Sequence, residues 1–195
     1  MNRYPEYAEV NGKTFKINTD FRVAIKCNEI AENEKIGDLE RSMGIICTLF
    51  GKDALDDTND YKGLLEVALK FLSCGKGIKG DKKEKPDMDY VEDMDYIEAS
   101  FMSDYKIDLE KTEMHWWKFN KYMNGLSNSE LGDCCVLNRI RNLRTFDTRD
   151  IKDAKERHRI EKAKKEVELK KYKKEAHLTK EQEKSMEELN KLLGL

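Results

Sequence analysis

The chain has 195 residues, 39% of them charged, and a formal net charge of −2, so it lacks the basic surplus of a duplex-binding protein. No apolar run approaches the roughly 20 residues that a membrane-spanning helix requires, and the opening "MNRYPEYAEV" has no signal-peptide core, so a soluble cytoplasmic protein is expected. With a mean hydropathy of −0.83, apolar residues suffice for a core only if they are concentrated in part of the chain.

Only two prolines, with abundant Lys, Glu, Leu and Met, point to helices rather than a many-turned β architecture. The first element is nonetheless a hairpin. In "AEVNGKTFKIN", Asn11-Gly12 supplies the positive φ angles of a type I′ turn, while Phe15 and Ile17 alternate with Thr14 and Lys16. Two strands alone are marginal, so the hairpin must lie on something else. Thr19 and Asp20 offer N-cap oxygens for a helix through "FRVAIKCNEIAE", which places Phe21, Ala24, Ile25 and Ile30 inward. A second helix, 38–50, puts Leu39, Met43, Ile46 and Phe50 at near-helical spacing and stops at Gly51. After the polar loop "KDALDDTND", a third helix aligns Tyr61, Leu65, Ala68, Leu69 and Leu72, with Gly75 as its stop.

"CGKGIKGDKKEKPD" reads as an exposed linker over about residues 75–86. It contains a literal G-x-G-x-x-G at Gly75, Gly77 and Gly80, but that fingerprint needs a strand entering the turn and a helix leaving it. Here a helix enters, and lysines and Pro86 follow, so the linker reading is preferred. A second helical group then begins, with Met94, Ile97, Phe101 and Tyr105 on one stripe behind an Asp-rich lead suited to a helix N-terminus. From Asp87 to Glu113 acids heavily outnumber bases. In "YKIDLEKTEMHWWKFNKYM", helical spacing puts His115, Trp116, Phe119, Tyr122, Met123 and Leu126 within one arc. Trp117 stands about 100° from Trp116 and must contact a second packed element or present an apolar surface to solvent or a partner. Ser127 and Glu130 form a capping-box pattern for a helix through "SELGDCCVLNRIRNLR".

From about Arg149 to Ala176 the chain is nearly all Lys, Glu and Arg, with a thin stripe of Ile151, Ala154, Ile160, Ala163, Val167 and Tyr172. It reads as a solvent-exposed helix, a coiled-coil arm with a weak seam, or a segment that orders with a partner. Thr179 and Gln182 make another capping box, and Met186, Leu189 and Leu193 give the last helix an apolar edge that needs covering.

Signatures of chemistry fail one by one. The five cysteines, Cys27, Cys47, Cys74, Cys134 and Cys135, form no C-x-x-C pair and no Cys/His metal spacing, and their odd number fits a reducing compartment. Cys134 and Cys135 read as small buried side chains on a helix rather than a vicinal disulfide. "GLSNS" begins like G-x-S-x-G but ends in serine and follows a helix. The Asp87 and Asp89 lead lacks the glycine and closing glutamate of a calcium loop. For His115, a core histidine beside an aromatic stripe is favoured over a general base. The tail lysines are interspersed with Glu161, Glu166, Glu168 and Glu175, which favours a solvated or protein-binding arm over a nucleic-acid site.

The order of features carries a resemblance. "NGKTFKINTDFR", then "DYIEASFMSDYKIDLEKTEMHWWKFNKYMNGL", then "RIRNLRTFD" and a lysine-rich tail together resemble the bacteriophage family named after gene product fifteen of a siphophage, a tail-morphogenesis family. The similarity covers nearly the whole chain and is sharpest at "YKIDL" and "MHWWKF". It implies a tail assembly chaperone of a long-tailed phage or prophage, one that binds the helical, aggregation-prone tape-measure protein and helps recruit tail tube subunits around it. Such proteins are assembly factors of the host bacterial cytoplasm, absent from the mature virion, and the family has no catalytic residues to carry over.

The expectation is thus a mainly α protein: a helical core domain over 1–148 with a small N-terminal β-hairpin, and a long charged helical extension over 149–195. No enzymatic activity, cofactor, metal or membrane is expected, and a homo-oligomer is compatible with the pattern. Trp117, Tyr172, Met186, Leu189 and Leu193 are the candidate partner contacts. The alternatives are a structural tail or virion protein whose charged tail is an oligomerisation arm and, less favoured, a nucleic-acid-binding regulator.

Overall fold

A computed structural model describes residues 4–76, 86–128 and 134–170. The protein is mainly α, and its described residues form eight helices and one two-stranded antiparallel sheet. The chain divides into two compact units, 1–146 and 147–195.

The first unit opens with the hairpin, β1 (Tyr7–Val10) and β2 (Lys13–Lys16), in the register Val10 opposite Lys13 and Ala8 opposite Phe15. Asn11 (φ 51°) and Gly12 (φ 74°) supply the two left-handed residues of a type I′ turn. Ala8, Val10, Phe15 and Ile17 are buried on one face. Val10 and Phe15 lie on Ile46, Ala54 and Leu64, so the hairpin is held by helices beneath it. At its tip the Asn11 amide donates to the Asp60 carboxylate at 2.9 Å.

Helix α1 (Phe21–Glu32) starts at Asp20, whose carboxylate accepts the Arg22 N–H at 2.9 Å. It buries Phe21, Ala24, Ile25 and Cys27, while Ile30 is half-buried. Helix α2 (Asp38–Phe50) ends at Gly51 but turns a different side inward from the expected one. Ile45, Ile46 and Leu49 are buried, Met43 and Phe50 are half-buried, and Leu39 is 74% exposed. Within "KDALDDTND" a short helix, α3 (Ala54–Asp57), buries Ala54 where a loop was expected. Helix α4 (Tyr61–Leu72) is also rotated relative to expectation: Leu64, Ala68 and Phe71 are buried, and Tyr61 is exposed. Both rotations have one cause. These helices carry apolar side chains around more than half their circumference, and the neighbours, the hairpin and α1, select which row is covered.

In the second group, α5 (Met94–Tyr105) buries Ile97, Ser100 and Phe101. Helix α6 (Trp116–Asn124) buries Trp116, Phe119 and Met123. The Phe119 ring is stacked on Phe21 at 4.6 Å and on Phe101 at 5.2 Å, which joins α1, α5 and α6 through one aromatic column. Helix α7 (Val136–Thr145) begins later than the Ser127 capping box suggests, with Cys135 as its N-cap residue. Glu130 of that box lies outside the described residues. The Ser127 N–H donates instead to the Asp104 carboxylate at 2.8 Å, and Asn128 bridges to Cys134. Cys134 and Cys135 therefore precede the helix rather than sit on it, although Cys135 is buried as expected.

An ion pair fixes α7 to the start of α5. Asp93 is 1% exposed and binds Arg144 through two bonds of 2.6 and 2.7 Å. Arg144 also donates to the Asp87 carbonyl, and Arg141 reaches the Asp87 carboxylate at 3.0 Å.

Of the second unit, residues 147–170 are described. Arg149 clasps Asp147 and holds its carboxyl down to about 2. Helix α8 (Ala154–Glu166) is capped by Asp153, which accepts the Lys155 and Glu156 N–H groups, and none of its residues is buried. Tyr172 and the expected last helix lie outside the described residues.

Candidate functional site

The His115-Trp116-Trp117 run occupies a junction of four chain segments. Its base is an antiparallel bridge between Asp20 and His115, in which Phe21 N–H donates to Met114 O at 2.9 Å and Trp116 N–H donates to Thr19 O at 2.7 Å. The N-termini of α1 and α6 are thereby tied together. His115 is the N-cap of α6 and not a member of its packing stripe, contrary to the periodic reading. The reason is local: its Nδ1 accepts the Trp117 N–H at 3.0 Å, satisfying an otherwise orphan donor of the first turn. With Nδ1 accepting, the ring proton resides on Nε2, which donates to Pro5 O at 3.0 Å. Tyr4 stacks on the ring with centroids 5.0 Å apart. Both imidazole nitrogens are thus occupied in holding the N-terminal segment against α6, which is a structural task.

The two indoles share a second task. Trp116 Nε1–H donates to Leu72 O and Trp117 Nε1–H donates to Phe71 O, each at 2.9 Å. These carbonyls belong to the last turn of α4: Leu72 O has no other donor among the described residues, and Phe71 O, which already accepts the Cys74 N–H at 3.0 Å, gains a second one. Neighbouring acceptors at one helix end call for neighbouring donors at another helix start, which is a physical reason for the tryptophan doublet. Gly75 (φ 76°) closes α4 by donating its N–H to Lys70 O, and a Cβ on it would stand 3.3 Å from the Trp117 ring. Trp116 is buried, and Trp117 is half-buried against Phe71.

Of the candidate contacts, Trp117 is therefore engaged within the chain and leaves part of its ring exposed. Tyr172, Met186, Leu189 and Leu193 lie outside the described residues. The glycine run from Gly75 is entered by helix α4, as expected, and Gly77 and Gly80 lie outside the described residues. Among the described residues no group of three or more His, Cys, Asp and Glu side chains is placed to hold a metal ion. Nor is any described helix long and apolar enough to cross a membrane.

What the sequence reading missed is on the outside. Leu39, Val91 and Met102 are 74%, 49% and 45% exposed. Leu39 falls on the helical-spacing row of α2, and the apolar stripes read from the sequence include neither Val91 nor Met102. The omitted signal was the acidic residues that flank Val91 and Met102 at helical spacing.

The model of the Bacteriophage Gp15 protein family matches residues 2–169. With most of its length covered, the chain belongs to that bacteriophage family. No curated protein and no solved structure matches it.

Proposed function

We propose that this chain is a tail assembly chaperone: a non-enzymatic phage protein, working without a cofactor in the host bacterial cytoplasm, that binds the tape-measure protein and assists tail tube assembly around it. Membership of the Gp15 family is the observation that carries this reading. The helical body adds physical support. A chaperone for long helical clients needs exposed apolar anchors set among charges that keep the complex soluble, and Leu39, Val91 and Met102 have that setting. The part of Trp117 left open beside the α4 terminus, and the C-terminal Tyr172, Met186, Leu189 and Leu193, are the further contacts assigned to the client.

Co-expression with the tape-measure protein of the same genome, followed by affinity purification, tests the reading, and a stable complex is the expected result. Two folded proteins that pass through the column separately would count against it. Mass spectrometry of purified virions separates this role from that of a structural tail protein. The chaperone is absent or strongly depleted in the particle, whereas a structural component is retained there in fixed stoichiometry.

A further inference from the structure

Ten acidic residues and two lysines lie between Asp87 and Glu113, and the fold uses only some of the acids. Asp87 and Asp93 pair with Arg141 and Arg144, Asp104 holds the Ser127 N–H, and Asp108 pairs with Lys111. Asp95, Glu98 and Glu110 have no cation within ion-pair distance among the described residues, and Glu110, Asp95 and Asp108 lie close enough to act on Glu98. Glu98 records the crowding: desolvation, then the charges of Glu110, Asp95 and Asp108, push its carboxyl upward, against a weaker opposing pull from Arg22.

These acids lie beside exposed apolar side chains. On α5, Asp95, Glu98 and Met102 follow one another at spacings of three and four residues, so these three lie within one narrow arc of the helix, and Val91 sits in the turn that leads into it. Val91 is 49% exposed and Met102 45%. From Asp95 to Met102, seven residues at a helical rise span about 10 Å, or two helical turns.

We infer that this outer face of α5, from Val91 to Met102 with Asp108 and Glu110 beside it, is a docking surface for a basic amphipathic helix of a partner protein. The row from Asp95 to Met102 matches two turns of an opposing helix, whose apolar side chains meet Met102 and, at the lead-in turn, Val91. The unpaired carboxylates require lysine or arginine on that helix, because its approach desolvates them further unless each gains a cation. A second copy of the same face is excluded as occupant by the same charges. Nucleic acid is excluded likewise.

The test does not depend on the identity of the client. The probe is a fluorescein-labelled peptide of about 18 residues with leucine on one helical face and lysine on the other, long enough to form a helix on contact. Its twin carries glutamate in place of lysine. Anisotropy titrations with the full chain are expected to show binding of the Leu/Lys peptide, weakened by salt, and none of the Leu/Glu peptide. Met102→Ser and Glu98→Gln each weaken binding about 3- to 10-fold, corresponding to about 0.7 to 1.4 kcal/mol. Tyr61→Ser, a comparably exposed change on α4 (Tyr61 is 43% exposed), leaves it unaltered. The double variant Asp95→Lys, Glu98→Lys reverses the preference toward the Leu/Glu peptide. All variants change side chains on the outer surface, and circular dichroism checks that they fold.

Equal binding of the two peptides, no binding of either, or an equal loss on Tyr61→Ser would overturn the inference. If the tape-measure protein does not co-purify but the Leu/Lys peptide still binds at α5, the choice of client is wrong and this surface stands. Co-purification that is unaffected by Met102→Ser and by the charge-reversed pair has the opposite meaning.

Discussion

Replacing Arg144 with methionine tests the joint between α5 and α7. The substitution keeps most of the side-chain volume and removes two bonds to Asp93 and one to the Asp87 carbonyl. Asp93, 1% exposed, is left with the Asp89 N–H at 3.0 Å as its remaining hydrogen bond on that side. Removing one partner of a buried ion pair costs about 3–5 kcal/mol, because the surviving charge has neither water nor a counter-ion. For a chain of this size, with Tm moving about 2–4 °C per kcal/mol, the variant should melt about 10 °C lower. Urea unfolding followed by circular dichroism gives the free-energy difference from the shift in midpoint. The double variant Asp93→Leu, Arg144→Met recovers much of the loss, since it buries no unpaired charge. A single-variant cost under about 1 kcal/mol would refute the reasoning, because only a solvent-exposed pair is worth so little. A double variant less stable than the single would instead place the value of the joint in the Asp87 and Asp89 contacts.

Trp117→Phe removes one of the two donors to the Phe71 carbonyl and should cost about 0.5–1 kcal/mol; the remaining Trp116 should emit at short wavelength and resist acrylamide, whereas the converse variant should be quenched readily. His115→Ala removes the α6 cap and the tie to Pro5, for a loss of about 1–2 kcal/mol, and in the wild type nitrogen-detected NMR should find the proton on Nε2. Gly63→Ala ought to stabilise an exposed helix, but here the new Cβ would stand 2.9 Å from Val10 Cγ1 and 2.5 Å from the Asp60 carboxylate, so a loss of about 1–3 kcal/mol is expected in thermal melts. Burial pushes the Cys27 thiol up to about 12, so it should escape alkylation in the native protein. Because the unfolded thiol ionises earlier, at its ordinary value, stability should fall as pH rises from about 9 toward 12, and Cys27→Ser should flatten that slope.

How far the fold could be read from the chain differs from element to element. Asn11-Gly12 announces the hairpin because few residue pairs tolerate two successive positive φ angles. The extents of α1 and α2 follow from Asp20 and Gly51, since capping is a matter between neighbours in sequence. Helix faces were less legible. Leu39 fits the apolar stripe of α2 as well as Ile45 does, and nothing local says that the hairpin and α1 cover one and leave the other to solvent. His115 illustrates the converse error: helical spacing assigned it to a stripe, but a histidine two residues before an orphan first-turn N–H, that of Trp117, serves better as the cap itself.

The sequence by itself determined the mainly helical class, the turn and stop positions, the family and the absence of any recognisable catalytic motif, because these depend on local dihedral preference and residue order. Tertiary structure alone decided the pairing of Asp93 with Arg144, 51 residues away, and the meeting of the tryptophan doublet with carbonyls 44 and 46 residues upstream. Such contacts leave no periodic trace, since a buried polar group is specified by whichever partner the packing brings within 3 Å. The same holds for the outer face of α5. Its acids were plain in the sequence, but which of them the fold would neutralise, and which it would leave facing outward beside Met102, depended on where Arg141, Arg144 and Lys111 came to rest.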